Sequence, residues 1–321
     1  MAEAYNTLNG LIQFNNKNLA DIKVSDILNR APVLAMMYAK AASAGTQHQY
    51  LKQTVDSTGA FRAALAGATG VPSQDELITI TLKILDGTFD TDVALADAYK
   101  GGRDAWLQIE LMRKMQGLMF QLEKQAIYGT KTRTGGSVLA SAAGFSGLAD
   151  SADLDAVADD MVIAPTTAGA TADSQTSVWF IRSADDGVAV VLGNDGNFVV
   201  ESEPTIIRKV VNPGTDNTAF PALYVPVTGY SGLQLGSKYD AARLCNIETA
   251  LTDDDIYAGL SLFKAGMPPN MIAMSRKAMK LLRQSRTAVN VTGAAAPFVT
   301  EIEGIPVVVT DAISDTEPVI A

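Results

Sequence analysis

The chain has 321 residues, of which 47% are hydrophobic and 19% charged, and its formal net charge is −10 at pH 7. This length and apolar content exclude a disordered chain and suffice for two or three packed units around a sizeable core. The acidic balance argues against a protein whose main task is to bind nucleic acid, because phosphate contacts require basic residues, but it permits a shell that surrounds nucleic acid.

The sequence carries no sign of export or of membrane insertion. A single cysteine, Cys245, cannot form an intrachain disulfide, and the N-terminus lacks the basic and apolar regions of a signal peptide. The best apolar stretch, residues 32–44, is broken by Lys40 and is too short to span a bilayer. We therefore expect synthesis in a reducing cytoplasm and no membrane partner. The low charged fraction indicates that neighbouring subunits cover part of the surface.

The N-terminal region predicts an arm followed by two helices. Residues 1–24 are polar and rich in asparagine, which indicates an extended arm. The pair Ser25–Asp26 suits the N-cap of a short helix that ends near Arg30. Pro32 can open the next helix at its first turn, and Gly45 suits the end of that helix.

A long two-stranded excursion follows. Residues 49–55 have an extended pattern, and residues 77–85 alternate with a period of two, which is typical of a strand. Asp86–Gly87 marks a turn, after which residues 89–96 continue extended, while the Gly/Ala-rich segment 61–73 forms a flexible tip. Because an isolated hairpin is marginal in water, we expect it to pack on something other than the body of its own subunit.

A single long helix is predicted between Gly102 and Gly129, roughly 37 Å in length. Its apolar stripe repeats at spacings of three and four and comprises Leu111, Met115, Leu118, Leu122 and Ala126. Glu123 and Lys124 fall, with most other charged residues, on the opposite side. The pattern fits either an ordinary core helix or a spine that spans the subunit and carries its other parts.

The remaining chain alternates strands with short helices. Strands are predicted at residues 177–182, 188–191, 198–201, 206–211, 223–227, 233–246, 271–275 and 303–309, and a loop at 131–141. Thr252 and Asp255 resemble a capping box for a helix over residues 253–265, and residues 276–285 predict a further helix.

The residue sets of familiar catalytic sites are missing. His48 is the sole histidine and lies in a polar stretch, so we expect it at the surface. Cys245 alone cannot make a zinc site, and no lysine-containing phosphate loop occurs. Asp253–Asp255 could bind calcium, but acids in a first helical turn are favoured by the helix dipole, so we predict capping. We expect no catalytic residue, no metal site and no cofactor.

A series of short motifs runs along nearly the whole chain: Ser25–Leu28 with Ala31–Leu34, Gln125–Gly129, Phe145–Leu148, Ser177–Ile181, Asp186–Val188, Gly232–Gln234, Ala242–Ile247, Asn270–Met274, Glu303–Val307 and Asp311–Ile313. In this order the motifs resemble the major capsid protein of tailed double-stranded DNA bacteriophages, whose shell fold is named for the phage Hong Kong ninety-seven.

The resemblance implies an α+β capsid fold in six consecutive parts. These are an N-terminal arm over 1–46, an extended hairpin called the E-loop over 47–97, the spine helix of a peripheral domain over 98–140, part of an axial domain over 141–176, peripheral-domain strands over 177–250, and the remaining axial domain, with its central sheet and flanking helices, over 251–321.

The resemblance also implies a function, which is self-assembly into the hexamers and pentamers of an icosahedral phage head that encloses double-stranded DNA. The chain would be made in the bacterial host cytoplasm and reside in the virion. Contacts with neighbouring subunits would involve the E-loop tip, namely Ala64, Leu65, Ala66, Gly67, Ala68, Thr69, Gly70 and Val71. Residues 60–76 contain no lysine, so the covalent cross-link of some relatives is not expected.

The implied partners are other copies of the chain, a portal and, as an optional addition, a decoration protein, with DNA bound only non-specifically. Because only 24 residues precede Ser25, we expect a separate scaffolding protein in place of a fused scaffolding segment. Two alternatives stay open. One is an encapsulin-type bacterial nanocompartment shell of the same fold, and the other is a β-rich surface or adhesion protein, against which the missing signal segment and cysteine pairs weigh.

Overall fold

The structure is a computed structural model of the chain. It describes residues 27–55, 57–67, 69–100, 102–131, 140–165, 168–169, 171–196, 199–200, 204–212, 216–290 and 294–320. The predicted arm over 1–24 and the Ser25–Asp26 cap lie outside the described residues, as do Ala68 of the predicted tip and most of the predicted loop over 131–141.

The described part combines helices with four sheets. The α-helices of five or more residues are α1 (Pro32–Met36), α2 (Val93–Ala98), α3 (Arg103–Tyr128), α4 (Asp253–Ser261) and α5 (Arg276–Val289). The strands are β1 (Tyr38–Ala41), β2 (Gln47–Val55), β3 (Gln74–Thr81), β4 (Lys83–Asp86), β5 (Phe89–Asp92), β6 (Val162–Ile163), β7 (Thr176–Ile181), β8 (Val188–Leu192), β9 (Val199–Val200), β10 (Thr205–Asn212), β11 (Asp216–Val225), β12 (Val227–Leu235), β13 (Ala241–Ile247), β14 (Met271–Met274), β15 (Glu301–Ile302) and β16 (Ile305–Val309).

The predicted long helix is present. α3 begins after Gly102, at φ +88°, and ends before Gly129, at φ +67°, so both glycines take a backbone conformation that other residues avoid. Of the predicted stripe, Leu111 is partly buried and the other four residues are buried in the main core. The local periodicity therefore identified both the ends and the core face of this helix.

Glu123 corrects one part of that prediction. The sequence pattern predicts it on the polar side of α3, but it is fully buried, and the flanking Leu122, Gln125 and Ala126 are buried as well. The C-terminal half of α3 is covered on several sides, because α1 and the end of β16 both contact it. Neither covering segment is close in sequence, so the periodicity of α3 alone could not reveal them.

Two further predictions within the first hundred residues, one of a helix and one of an extended segment, are partly wrong. α1 opens with Pro32 at its first turn as predicted, but it ends at Met36, and the chain continues as β1 instead of remaining helical to Gly45. β1 pairs in parallel with β8, whose edge supplies the backbone hydrogen bonds. Residues 93–98 form α2 where a strand was expected, because the Asp92 side chain caps the helix by accepting from Ala94 N–H.

The central sheet has six strands in the order β15-β16-β14-β7-β13-β6. β7 and β13 were predicted to belong with the peripheral strands over 177–250, yet β7 lies between β14 and β13 in this sheet. The predicted boundary at residue 250 therefore divides one hydrogen-bonded sheet. A buried apolar run identifies a strand but does not specify its partners, which explains the error.

Three smaller sheets complete the fold. One sheet has the order β1-β8-β12-β4, with β9 attached to β12. β10-β11-β5 form a three-stranded sheet, and β2 and β3 form a two-stranded one. At the C-terminal end, the predicted capping box of Thr252 and Asp255 is present, although α4 stops at Ser261. α5 extends to Val289, beyond the predicted end at residue 285.

Candidate functional site

The β2–β3 hairpin is the predicted contact element. Its strands pair antiparallel from Gln47 opposite Thr81 to Val55 opposite Gln74, with one irregularity near the distal end. Beyond the strands, Thr58 and Val71 exchange two backbone hydrogen bonds of 2.9 and 3.1 Å. The two arms therefore stay joined as far as this bridge, and the residues between them, 59–70, form the distal loop.

The distal loop makes almost no contact with its own subunit. The side chains of Phe61 and Leu65 have relative exposures of 108% and 105%, and every described residue of the predicted tip is exposed. The loop is held internally by the Arg62 guanidinium, which donates to the Ala66 carbonyl at 3.2 Å. Leu65 lies at φ +65°, an uncommon conformation for a branched residue. The free subunit thus exposes large apolar side chains at the loop.

The outer face of the hairpin carries a second apolar feature that sequence reasoning missed. Leu51 and Leu77 lie directly opposite each other in the register and are 65% and 60% exposed. The signal was present in the alternation, because Leu77 and Ile78 point to opposite faces, and Leu77 stands among the polar residues Asp75 and Thr79 on its own face. An exposed leucine pair on this otherwise polar face indicates a further partner.

The base of the hairpin is fastened to the subunit, contrary to the expectation that the body is out of reach. Gln53 N–H donates to the Gly236 carbonyl at 3.2 Å, and the Lys52 ammonium contacts Asp153 at 2.8 Å. The Tyr50 hydroxyl accepts from Leu235 N–H at 3.4 Å, and burial raises the pKa of Tyr50. These contacts with the end of β12 and with residue 153 hold β2 in place as far as Gln53.

His48 is part of this attachment, which corrects the prediction that it lies at the surface. It is only 4% exposed. Its Nδ1 accepts from Ser43 N–H at 3.2 Å, so Nε2 carries the proton and donates to Gln234 Oε1 at 2.9 Å. Gln234 is 186 residues away in sequence, so the polar stretch around His48 gave no hint of this partner.

The groups considered for chemistry are buried or paired within the subunit. Cys245 is buried, and burial raises the pKa of its thiol to about 11, which keeps it protonated. Asp253 forms an ion pair with Arg286, and Asp255 closes the capping box, as predicted for this acidic cluster. Among the residues that the structure describes, no three His, Cys, Asp or Glu side chains are grouped to hold a metal ion. No helix in that part of the chain has the length and apolar character needed to cross a membrane.

Comparison with known proteins gives a family and a fold. A family model described as major capsid protein GP7 matches residues 16–321. A chain from the cryo-EM structure of bacteriophage Epsilon15 aligns with a TM-score of 0.60 at 20% identity, covering 88% of each chain. The bacteriophage JBD30 capsid gives 0.46 at 11% identity, covering 85% of this chain and 89% of that one. The SrpI encapsulin complex of Synechococcus elongatus gives 0.40 at 10% identity, covering 67% and 87%. No curated protein sequence matches. The Epsilon15 similarity confirms the predicted α+β capsid fold.

Proposed function

Because this chain belongs to the major capsid protein GP7 family, and is therefore a structural subunit of a capsid shell, we propose that its β2–β3 hairpin joins neighbouring copies. The observation that carries this proposal is the contrast along the hairpin. Tyr50, Lys52 and Gln53 fix the hairpin to the subunit, whereas the outer face exposes Leu51 and Leu77 and the distal loop exposes Phe61 and Leu65. A rigid base with an apolar, uncovered end suits a contact made outside the subunit.

The energetics favour closure of the hairpin onto another copy. Full burial of a leucine or phenylalanine side chain contributes roughly 1.5–3 kcal/mol relative to full exposure. Four such side chains on one element contribute several kcal/mol toward this closure. In a shell, the hairpin of each subunit packs on one neighbour while the hairpin of another neighbour packs on that subunit. The same stabilising free energy therefore recurs with every copy.

Around this contact we place the wider assembly. The copies form the hexamers and pentamers of an icosahedral head that encloses double-stranded DNA without sequence-specific contacts. A separate scaffolding protein, a portal and an optional decoration protein complete the particle, and the chain is made in the host cytoplasm. The protein acts through contacts and not through catalysis. The encapsulin alternative is less supported, and membership of the capsid family replaces the adhesin alternative.

The experiment removes the distal loop at a point that the structure defines. Since Thr58 and Val71 are paired across the two arms, residues 59–70 can be replaced by Asn-Gly, a two-residue turn that suits antiparallel strands. We expect an unchanged circular dichroism spectrum and unfolding midpoint, but loose subunits or capsomers in place of large particles on sedimentation. A second variant, Leu51→Ser with Leu77→Ser, keeps the loop and tests the outer face separately.

The outcomes distinguish the hairpin's role from a folding defect. Intact shells of normal stability from both variants would overturn the intersubunit role. Loss of the folded signal in the loop replacement would show that the loop belongs to the subunit core, which its exposure argues against. If only the variant with Leu51→Ser and Leu77→Ser fails to form shells, the contact lies on the outer face of the strands.

A further inference from the structure

Two strands of the chain each have one edge without a neighbouring strand among the described residues. β10 lies at the end of the β10-β11-β5 sheet, and β3 pairs with β2 in a two-stranded sheet that leaves its other edge open. Both strands contain eight residues. An open edge presents a row of backbone N–H and C=O groups that a further strand can satisfy, so each edge is a site for strand addition.

The side chains along the two edges are complementary in charge and in apolar character. β10 has two apolar residues followed by two cations, and β3 has two acids followed by two apolar residues. These are Ile206, Ile207, Arg208 and Lys209 on β10, and Asp75, Glu76, Leu77 and Ile78 on β3. In an antiparallel arrangement, the register that places Glu76 opposite Arg208 also places Leu77 opposite Ile207. The same register aligns the remaining two pairs, so acid meets cation and apolar meets apolar at all four positions.

Arg208 is the cation available for such a contact. Its side chain is exposed and forms no ion pair with another described residue, whereas Lys209 is already paired with Asp90 of β5. On the hairpin, Glu76 is exposed and lies opposite Lys52, but the Lys52 ammonium is held by the body of the subunit. Opposite charges directly across two strands stabilise their pairing, so Glu76 and Arg208 select this register.

The exposed leucine pair of the hairpin gains an apolar neighbour in this register. Leu51 and Leu77 lie opposite each other, and Ile207 lies opposite Ala222 of β11. Because residues directly opposite each other point to the same face, addition of β3 to β10 joins these four side chains into one apolar row across the combined sheet. Ile206, which is 59% exposed in the free subunit, gains an apolar neighbour in the same way on the other face.

The two open edges of one subunit lie at opposite ends of a long ribbon. β11 and β12 pair with β5 and β4 in the same register, so β11 and β12 run on in one direction. Arg208 lies opposite Pro221 near the beginning of this ribbon. The hairpin is fastened at the end of the ribbon, where Gln53 N–H donates to the Gly236 carbonyl, and Glu76 lies at this level of the hairpin. The path along the strands from Pro221 to Gly236 is roughly 50 Å at about 3.3 Å per residue, so the pairing requires a second copy.

We propose that β10 of one copy receives β3 of a neighbouring copy as an added antiparallel strand, with Glu76 opposite Arg208. This receiving surface rests on the proposed function, in which the hairpin joins neighbouring copies. Because the two edges differ and lie at opposite ends of the ribbon, the contact is head-to-tail and repeats from copy to copy until a ring closes. Pairing of β10 with a second β10 is disfavoured, since full antiparallel overlap places Arg208 opposite Lys209.

Charge reversal in the full chain tests the pairing. Arg208→Glu or Glu76→Arg alone places like charges opposite each other, so each should remove most of the large particles on sedimentation. The circular dichroism spectrum should not change, because both side chains are exposed. The double variant restores opposite charges, keeps the net charge of the wild type, and should recover particles at close to the wild-type yield. Single variants that assemble like the wild type would overturn the proposal, as would a double variant that assembles no better than either single one.

Engineered cysteines test the register independently of charge. Leu77→Cys with Ile207→Cys places two Cβ atoms about 4.5–5.5 Å apart across the joined strands, so mild oxidation of the assembled chain should give dimers and larger oligomers on a non-reducing gel. The native Cys245 is buried and does not compete. In the control, Leu77→Cys with Val210→Cys, the two cysteines are three residues out of register and should stay unlinked. Oligomers from the control and not from the first pair would overturn the antiparallel register.

Failure of this pairing can be distinguished from failure of the hairpin's intersubunit role. If cysteines at positions 77 and 207 stay unlinked while replacement of residues 59–70 still abolishes shells, the hairpin joins copies but β10 is not the strand that receives it. If shells instead survive both the loop replacement and the two leucine substitutions, the intersubunit role of the hairpin is itself wrong, and the pairing with β10 is overturned with it.

Discussion

Replacing Glu317 by alanine should destabilise the subunit strongly, because this residue is the centre of a buried network. Its Oε1 accepts the hydroxyls of Tyr128, at 2.5 Å, and Ser177, at 2.6 Å, and its Oε2 accepts from Arg243 Nη2 at 2.7 Å. Glu317 and Arg243 are each 1% exposed, and the Arg243 guanidinium also lies 4.8 Å from the centre of the Trp179 ring. Burial next to Glu317 raises the pKa of Tyr128 well above its usual value, so its hydroxyl remains a donor.

The expected loss can be worked from these contacts. Removing one partner of a buried ion pair costs about 3–5 kcal/mol, because the other charge stays buried without compensation. The Nε and Nη1 atoms of Arg243 already lack partners among the described residues, so removal of Glu317 leaves its guanidinium without the acceptor it has there. The Tyr128 and Ser177 hydroxyls lose an acceptor as well, so we expect a loss of about 5 kcal/mol. A domain is typically stable by about 5–15 kcal/mol, so the variant should be close to unfolding.

Urea unfolding of unassembled subunits, followed by tryptophan fluorescence, measures this loss, since Trp179 lies within the network. The matched control is Asp311→Ala, which breaks an ion pair with Arg276 whose side chains are 73% and 80% exposed. Exposed pairs contribute about 0.2–1 kcal/mol, so the control should unfold close to the wild type. If Glu317→Ala and Asp311→Ala cost the same, the reasoning about the buried network is refuted.

Two further substitutions test the core assignments. Met115→Asp places a carboxylate in the buried stripe of α3, and burying that charge costs several kcal/mol, roughly the scale of domain stability. Expression of the variant should therefore give insoluble protein. A soluble variant that assembles normally would contradict the assignment of the stripe to the core. Gly259→Ala in α4 places a Cβ 2.4 Å from the buried Phe180 ring, which should lower the free energy of unfolding in urea by about 1–3 kcal/mol. Its control is Gly266→Ala, whose Cβ meets no atom within 4 Å and whose stability should be close to that of the wild type. Equal losses of stability in the two variants would refute the close approach of α4 to the sheet.

The features that sequence predicted correctly depend on neighbouring residues. The glycines at both ends of α3 and its stripe of Met115, Leu118 and Leu122 follow from a period that a single helix contains. The capping box of Thr252 and Asp255 likewise lies within four residues. The alternation in β3 predicted one strand of a hairpin and the apolar side chains that this strand carries. The role of the tip residues stays a prediction, because their contacts would be with another subunit.

The errors share a different cause, which is contact over long sequence distances. Glu123 is buried by α1 and Thr310, and His48 by Gln234, and none of these partners is visible from the local pattern. The sheet position of β7 and β13 depends on pairing with β14. Residues on the polar face of an element can therefore be buried when a segment distant in sequence covers them and supplies hydrogen bonds.

The most direct test of the shell-subunit account is cryo-electron microscopy of the particles that the chain forms, at a resolution that traces the β2–β3 hairpin. The account predicts a closed shell in which the base of each hairpin stays on its own β12, while Leu51, Leu77 and the distal loop lie buried on a neighbouring copy. A shell in which the distal half projects into solvent or folds onto its own subunit would contradict the account, as would a chain that remains monomeric with its assembly partners present.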